Sequence, residues 1–154
     1  MTTGQPVSIR LMEKRDLPAA YFLSKSEGWN QTVDDWTFLL DNPDNICIVA
    51  ENDVMVAGTA TALVHSGRIA WIGMVLVDQS CRGMGIGREL MNGIIGLIPS
   101  ACSIRLDATP AGKPLYEKLG FKSEYSLLRM TAPEVKAEKK GTDRKPFSLK
   151  EYEN

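Results

Sequence analysis

"VLVDQSCRGMGIGREL", residues 75–90, sets Gly83, Gly85 and Gly87 within five positions, between an apolar run and a run with helical periodicity. A strand, a short glycine-rich loop and a helix in that order predict an anion site. The first amides of a helix lack internal partners and point outward. The helix dipole adds positive potential at that end, and glycine lets the backbone approach a phosphate closely. Arg82, Gly83, Met84, Gly85, Ile86, Gly87 and Arg88 are therefore a candidate pyrophosphate cradle, with Arg82 and Arg88 as rim charges. A P-loop needs Lys-Ser or Lys-Thr after its glycines, and neither follows here. The dinucleotide fingerprint needs G-x-G-x-x-G after the first strand of a parallel unit; the spacing here is G-x-G-x-G, and the preceding strands read as hairpins. A turn that only joins strand to helix remains the alternative.

Upstream, strands are expected over residues 46–51, 54–65 and 68–77, joined by the turn pairs Asn52-Asp53 and Ser66-Gly67. Gly58 and Gly73 inside strands suggest bulges or close backbone approach. Before them come a strand at residues 7–12 and a helix from Leu17 to about Glu27, with Pro18 in its first turn. A short helix to Leu40 follows, opened by a Thr32–Asp35 capping box. Downstream the pattern gives a helix over about residues 85–98 and a strand over 103–108. A short helix over 114–119, stopped by Gly120, and a last strand over 121–130 complete it. After Pro133 the chain is charged and nearly without aliphatic residues. Residues 1–132 are thus expected to form the domain, and 133–154 a tail, a linker or an edge-strand arm.

The chain has 154 residues, the size of one domain. Its 18 basic and 19 acidic residues leave a formal charge of −1, which argues against nucleic acid as a partner. Cys47, Cys81 and Cys102 are too few and too scattered for a disulfide framework, so a reducing compartment is expected. No apolar run approaches the roughly 20 residues that span a bilayer, and the start "MTTGQPVSIR" lacks the layout of a secretory signal. A soluble cytoplasmic protein with no membrane partner is the expectation. No cluster has metal-ligand spacing. Asp34 and Asp35 read as acids favoured at a helix start, and Cys81, without a nearby His, as passive.

At this point the residues resemble a family. "VLVDQSCRGMGIGREL" is similar to the acyl-CoA motif of the GNAT acetyltransferases, [QR]-x-x-G-x-[GA], whose three positions are filled by Arg82, Gly85 and Gly87. "LYEKLGF", residues 115–121, is similar to the family's L-Y-x-x-x-G-F signature. "EGW", "AWIGMVLV" and "DATPAGKPLYEKLGF" resemble a subgroup in which a second acetyltransferase-like domain follows the first, so this chain reads as the N-terminal module. The resemblance implies a mixed α/β (α+β) fold. Its sheet is mostly antiparallel and flanked by helices, and a V-shaped splay between the strands ending at Val77 and Ala108 receives acetyl-CoA. Three departures stand out. Gln79 replaces a frequent Pro, no Asn stands near Thr109, and "RIAWIGMVLV" lacks the carboxylate that many members carry there.

By the same resemblance, the main chain of Val75, Leu76 and Val77 would hold the pantetheine arm, and residues 82–88 the pyrophosphate. Tyr116 would protonate the departing thiolate. A neutral amine must attack, yet alkyl ammonium titrates near ~10, so a base or a water relay is needed. Glu27, beside Trp29 where members often build the acceptor site, is the first candidate; Asp34, Asp107 and His65 are others. The expected activity is acetyl transfer from acetyl-CoA to a primary amine of a small molecule by direct attack. The alternative is a non-catalytic acyl-CoA-binding or regulatory module. No further strand is evident after Met130, so residues 144–152 or a second chain are expected to cover the sheet edge, the latter making a homodimer.

Overall fold

The structure is a computed structural model and describes residues 7–128 and 130. The chain divides into two units, Met1–Phe121 and Lys122–Asn154. The first holds five strands, β1 (Ser8–Leu11), β2 (Ile46–Glu51), β3 (Val56–His65), β4 (Ile69–Val77) and β5 (Ser103–Leu106), in the spatial order β1-β2-β3-β4-β5. The first three pairings are antiparallel and β4–β5 is parallel. Helices α1 (Leu17–Ser26), α2 (Val33–Asp41), α3 (Ile86–Leu97) and α4 (Lys113–Lys118) complete the unit. The expected mixed, mostly antiparallel sheet flanked by helices is thus present.

Local chemistry explains the joints. Asn52 Oδ1 accepts from the amides of Val54 and Met55, which holds residues 52–55 in a turn and starts β3 two residues later than its pattern suggests. Ser66 and Gly67 both have positive φ, 51° and 63°, the geometry of a tight hairpin whose twist matches its strands. Thr32 Oγ1 accepts from the Asp35 amide at 3.2 Å, and Asp35 accepts from the Thr32 amide at 2.7 Å, so both arms of the capping box form. These bonds hold the Asp35 carboxyl below its ordinary range. Thr32→Ala is expected to lower stability by about 1 kcal/mol, read as an earlier urea midpoint at unchanged slope; an unchanged midpoint would show that the cap contributes nothing.

Two cores lie on opposite faces of the sheet. Leu90, Met91 and Ile94 of α3 are fully buried against Ile48, Ala60, Ala62 and Ile72, each contributing about 1.5–3 kcal/mol by burial. Alanines on β3 let α3 sit close. At Gly58 an added Cβ would lie 2.6 Å from the Leu76 carbonyl oxygen and 2.9 Å from Leu90 Cδ1, so the expected close approach is real. On the other face Trp36 is fully buried with Leu23, Val49 and Leu76, and its Nε1 donates to Ser24 Oγ at 3.1 Å, tying α2 to α1. Arg10 of β1 grips Asp16 at 2.7 Å and Glu51 at 2.7 Å; this holds the Asp16 carboxyl well below its usual range and fixes the entry to α1.

The strand expected over residues 121–130 is absent. Residues 122–128 form no helix or strand and are exposed. Tyr125, Leu127 and Leu128 alternate poorly, with two adjacent leucines both in solvent, and a strand needs a ladder partner as well as a pattern. The tail 133–154, including the arm expected at 144–152, lies outside the described residues. Among the described residues no helix is long and apolar enough to cross a membrane.

Candidate functional site

The glycine loop sits where two strands part. β4 and β5 pair only from Ile69–Ser103 to Ile72–Leu106. From Gly73 to Val77 the β5 side of β4 has no ladder partner among the described residues, the open edge expected of a V-shaped splay. A bulge begins there as well. Thr61 pairs with Gly73 and Thr59 with Leu76, so Met74 and Val75 together face Ala60. Met74 takes the positive φ, 50°, while Gly73 does not; the bulge therefore falls one residue after the expected glycine. Two fully buried hydroxyls hold it, with Thr61 Oγ1 donating to the Gly73 carbonyl at 3.1 Å and Thr59 Oγ1 to the Met74 carbonyl at 2.8 Å. The bulge also reverses which side chains face which helices. Ala70 and Ile72 pack toward α3 before it; Val75 and Val77 do so after it, leaving Met74 and Leu76 to the α1/α2 face.

Beyond Val77, Asp78 Oδ1 accepts from the Ser80 amide at 2.9 Å and caps a short 3-10 turn, Gln79–Cys81. The chain then enters α3 through Gly83 (φ 79°) and Gly85 (φ 83°), both left-handed. Glycine adopts that conformation at no steric cost. Gly85 is the N-cap of α3. The backbone amides of Gly83, Met84, Gly85, Ile86 and Gly87 find no acceptor among the described residues. Five consecutive N–H groups without an acceptor at a helix N-terminus are an arrangement that attracts an anion.

Helix α4 is brought beside this loop. A Cβ at Gly87 would lie 3.4 Å from Leu115 Cδ2. A cleft of about 410 Å³ runs between them, lined by Gly85, Gly87, Arg88, Glu89, Leu115 and Lys118. Arg88, Lys118 and Glu89 have no ion-pair partner among the described residues, so the rim carries two positive charges and one negative. Lys118 was hidden in the short motif "LYEKLGF", where its spacing from Leu115 was the only signal. Tyr116 packs on the α3-side core, its ring lying against Gly112 and edge-on to Phe121 at 6.2 Å. Its hydroxyl makes no hydrogen bond among the described residues. Burial pushes the phenol above its ordinary value.

Arg82 turns away from the rim. Its Nη2 is ion-paired with Glu27 Oε1, and its Nε donates to the Val77 carbonyl at 3.2 Å. Gln79 Nε2 reaches the same Glu27 oxygen at 3.5 Å. Glu27 follows α1, where Gly28 (φ 69°) turns the chain and Trp29 packs on the face that carries Met74 and Leu76. Two residues beyond Trp29, Gln31 Oε1 is buried without a hydrogen-bond partner, a feature with no sequence signal. The structure thus unites Glu27 with the loop, across 55 positions of sequence. His65 does not join them. It ends β3 opposite Ile69, whereas the loop adjoins the other end of that pairing, Gly58–Val77. Asp34 is exposed in the first turn of α2, and Asp107 is exposed just past β5. Cys81 is buried beside Ser80. Among the described residues no group of three His, Cys, Asp or Glu could hold a metal ion.

Residues 43–123 match the acetyltransferase (GNAT) domain family. An uncharacterized N-acetyltransferase of Bacillus subtilis (strain 168), YitH, is 34% identical over 87 residues, which cover 56% of this chain and 31% of that protein. The chain therefore spans about a third of the length of this curated relative. The ribosomal-protein-S18-alanine N-acetyltransferase from Escherichia coli shares the fold with a TM-score of 0.70 at 21% identity, over 78% of this chain and 80% of that one. A predicted acetyltransferase with acetyl-CoA from Clostridium acetobutylicum does so with a TM-score of 0.68 at 19% identity, over 82% and 96%.

Proposed function

The chain belongs to the acetyltransferase (GNAT) domain family, and from that membership we propose that it is an N-acetyltransferase moving the acetyl group of acetyl-CoA to a primary amine of a small molecule. The observation that carries this reading is the row of five unpartnered amides at the start of α3. A diphosphate is the anion such a row and the Arg88–Lys118 rim fit. The open edge of β4 supports it further: of Val75, Leu76 and Val77, the main chain of Val75 and the amide of Val77 are left for an extended arm, since the Val77 carbonyl accepts from Arg82 and the Leu76 carbonyl lies against Gly58 of β3. When bound, acetyl-CoA supplies an acyl group already activated as a thioester, so the amine can attack directly and no covalent enzyme intermediate is needed.

The residues of the chain then do three things. A main-chain amide on the β4 edge stabilises charge that develops on the carbonyl oxygen. The Tyr116 phenol, held protonated by burial, donates to the leaving sulfur. On ordinary values a phenol near ~10 is a weaker acid than a thiol near ~8.5. Burial raises the Tyr116 phenol further, so the proton moves only as negative charge builds on the sulfur while the C–S bond breaks. The proton that the amine sheds as the C–N bond forms leaves through a water relay on the acceptor side, where Glu27 stands and β4 itself carries no carboxylate.

Calorimetry with acetyl-CoA, followed by turnover over a panel of small primary amines, tests the reading. Binding with turnover is the expected result. Tight binding with no turnover selects the alternative, a non-catalytic acyl-CoA-binding module, which the absence of a carboxylate on β4 favours. No binding overturns both.

A further inference from the structure

We infer that Glu27 is a positioning residue that acts through Arg82, joining the acceptor-side segment after α1 to the entrance of the anion cradle. The inference rests on the acetyl-CoA reading above and deepens it.

Three contacts carry it. Arg82 stands immediately before Gly83, so its placement sets where the left-handed loop begins. Its guanidinium bridges two groups, the Val77 carbonyl at the end of β4 and the Glu27 carboxylate at the end of α1. Gln79, in the turn between them, donates to the same carboxylate. A Cβ at Gly83 or Gly85 would meet nothing within 4 Å. On the exit side the Gly85 carbonyl accepts from the Arg88 and Glu89 amides and Ile86 is buried; on the entry side Glu27 is the anchor, through Arg82. Glu27 is the less exposed member of the pair, at 27% against 49% for Arg82, as expected of the anchor.

The contacts from Arg82 and Gln79 both fall on Glu27 Oε1, and the split between KM and kcat distinguishes a group that holds Arg82 from one that takes the amine proton. Trp29, two residues on, packs on the face that carries Met74 and Leu76 of the open strand. An acceptor that settles against this segment therefore presses, through Glu27 and Arg82, on the amides that hold the cofactor. Acceptor and acetyl-CoA should bind with positive coupling that disappears when the bridge is cut.

The test is a double-mutant cycle read by calorimetry with acetyl-CoA on the full chain. Glu27→Gln keeps the shape and removes the charge. It is expected to weaken acetyl-CoA roughly three- to fivefold, the scale of a partly exposed ion pair. Arg82→Gln should do at least as much, and the double variant should be no weaker than Arg82→Gln alone. Backbone NMR order parameters of residues 82–85 should fall in ligand-free Glu27→Gln protein, at an unchanged urea midpoint. In turnover, Glu27→Gln should raise the KM for acetyl-CoA while kcat falls less than about threefold; loss of a base costs about 100-fold or more in kcat. The inference is overturned if Glu27→Gln binds within 1.5-fold of the parent (roughly the floor for such a pair), if the two effects multiply, or if the loop order parameters are unchanged. A parent protein that fails to bind acetyl-CoA at all overturns the underlying functional reading instead.

Discussion

Tyr116→Phe is expected to lower turnover about 100-fold, in the usual range for losing a positioned acid, while the acetyl-CoA dissociation constant stays within about twofold. The substitution removes one oxygen and nothing else that the fold uses. The ring still lies against Gly112 and Phe121, and the hydroxyl it loses makes no hydrogen bond among the described residues. The sign of the pH effect follows from burial, which raises the phenol. The proton it must donate is present through the neutral range and is lost only as pH climbs past a value above the ordinary ~10. The parent enzyme should therefore lose activity on a strongly alkaline limb that the Phe variant lacks. A loss below about threefold, with the limb retained, would return Tyr116 to a purely packing role.

Gly85→Val is expected to weaken acetyl-CoA binding at least tenfold, or about 1.4 kcal/mol, with the domain still folded. The cause is conformational. Gly85 sits at φ 83°, a region that a β-branched residue adopts only with strain of about 1–3 kcal/mol. An added Cβ there meets no neighbour within 4 Å, so the core is not disturbed. The strain is relieved by turning the peptide units around position 85, and those units carry the free amides. Gly87→Ala is the matched control. It lies inside α3, where a Cβ would make an ordinary 3.4 Å contact with Leu115, and binding should change less than about threefold. Equal affinities for parent and Gly85→Val protein would remove the cradle from the site.

Much of this was legible in the chain before folding, for reasons that are local. The Thr32–Asp35 box, the Ser66-Gly67 turn and the Gly85 start of α3 each announce a backbone state through a residue type that few other states favour. The parallel strand after α3 and the short helix at "LYEKLGF" follow the same logic. The illegible parts are those set by contacts distant in sequence. Alternation along "RIAWIGMVLV" does not reveal that Met74 breaks step, because the bulge is held from β3 by Thr59 and Thr61. The place of Glu27 beside Trp29 marks it in the sequence, yet its partner Arg82 lies 55 residues away and by position reads as a rim charge. The run after Gly120 failed in the opposite direction. It has strand-forming residues, but no ladder is present over residues 122–128.

The half-unpaired strand has one more consequence. Below Ile72 the main chain of β4 is satisfied by β5; above it, the five residues from Gly73 to Val77 have no ladder partner on that edge among the described residues, and Arg82 takes only the last carbonyl. A guest that lies along that edge closes the gap and binds only the folded chain, so occupancy and heat resistance are linked. At a hundred times its dissociation constant such a guest adds about 2.7 kcal/mol to the folded state. The melting temperature of the domain is thus a ready gauge for sorting thioesters by the length of arm that fits the wedge, before any acceptor is known.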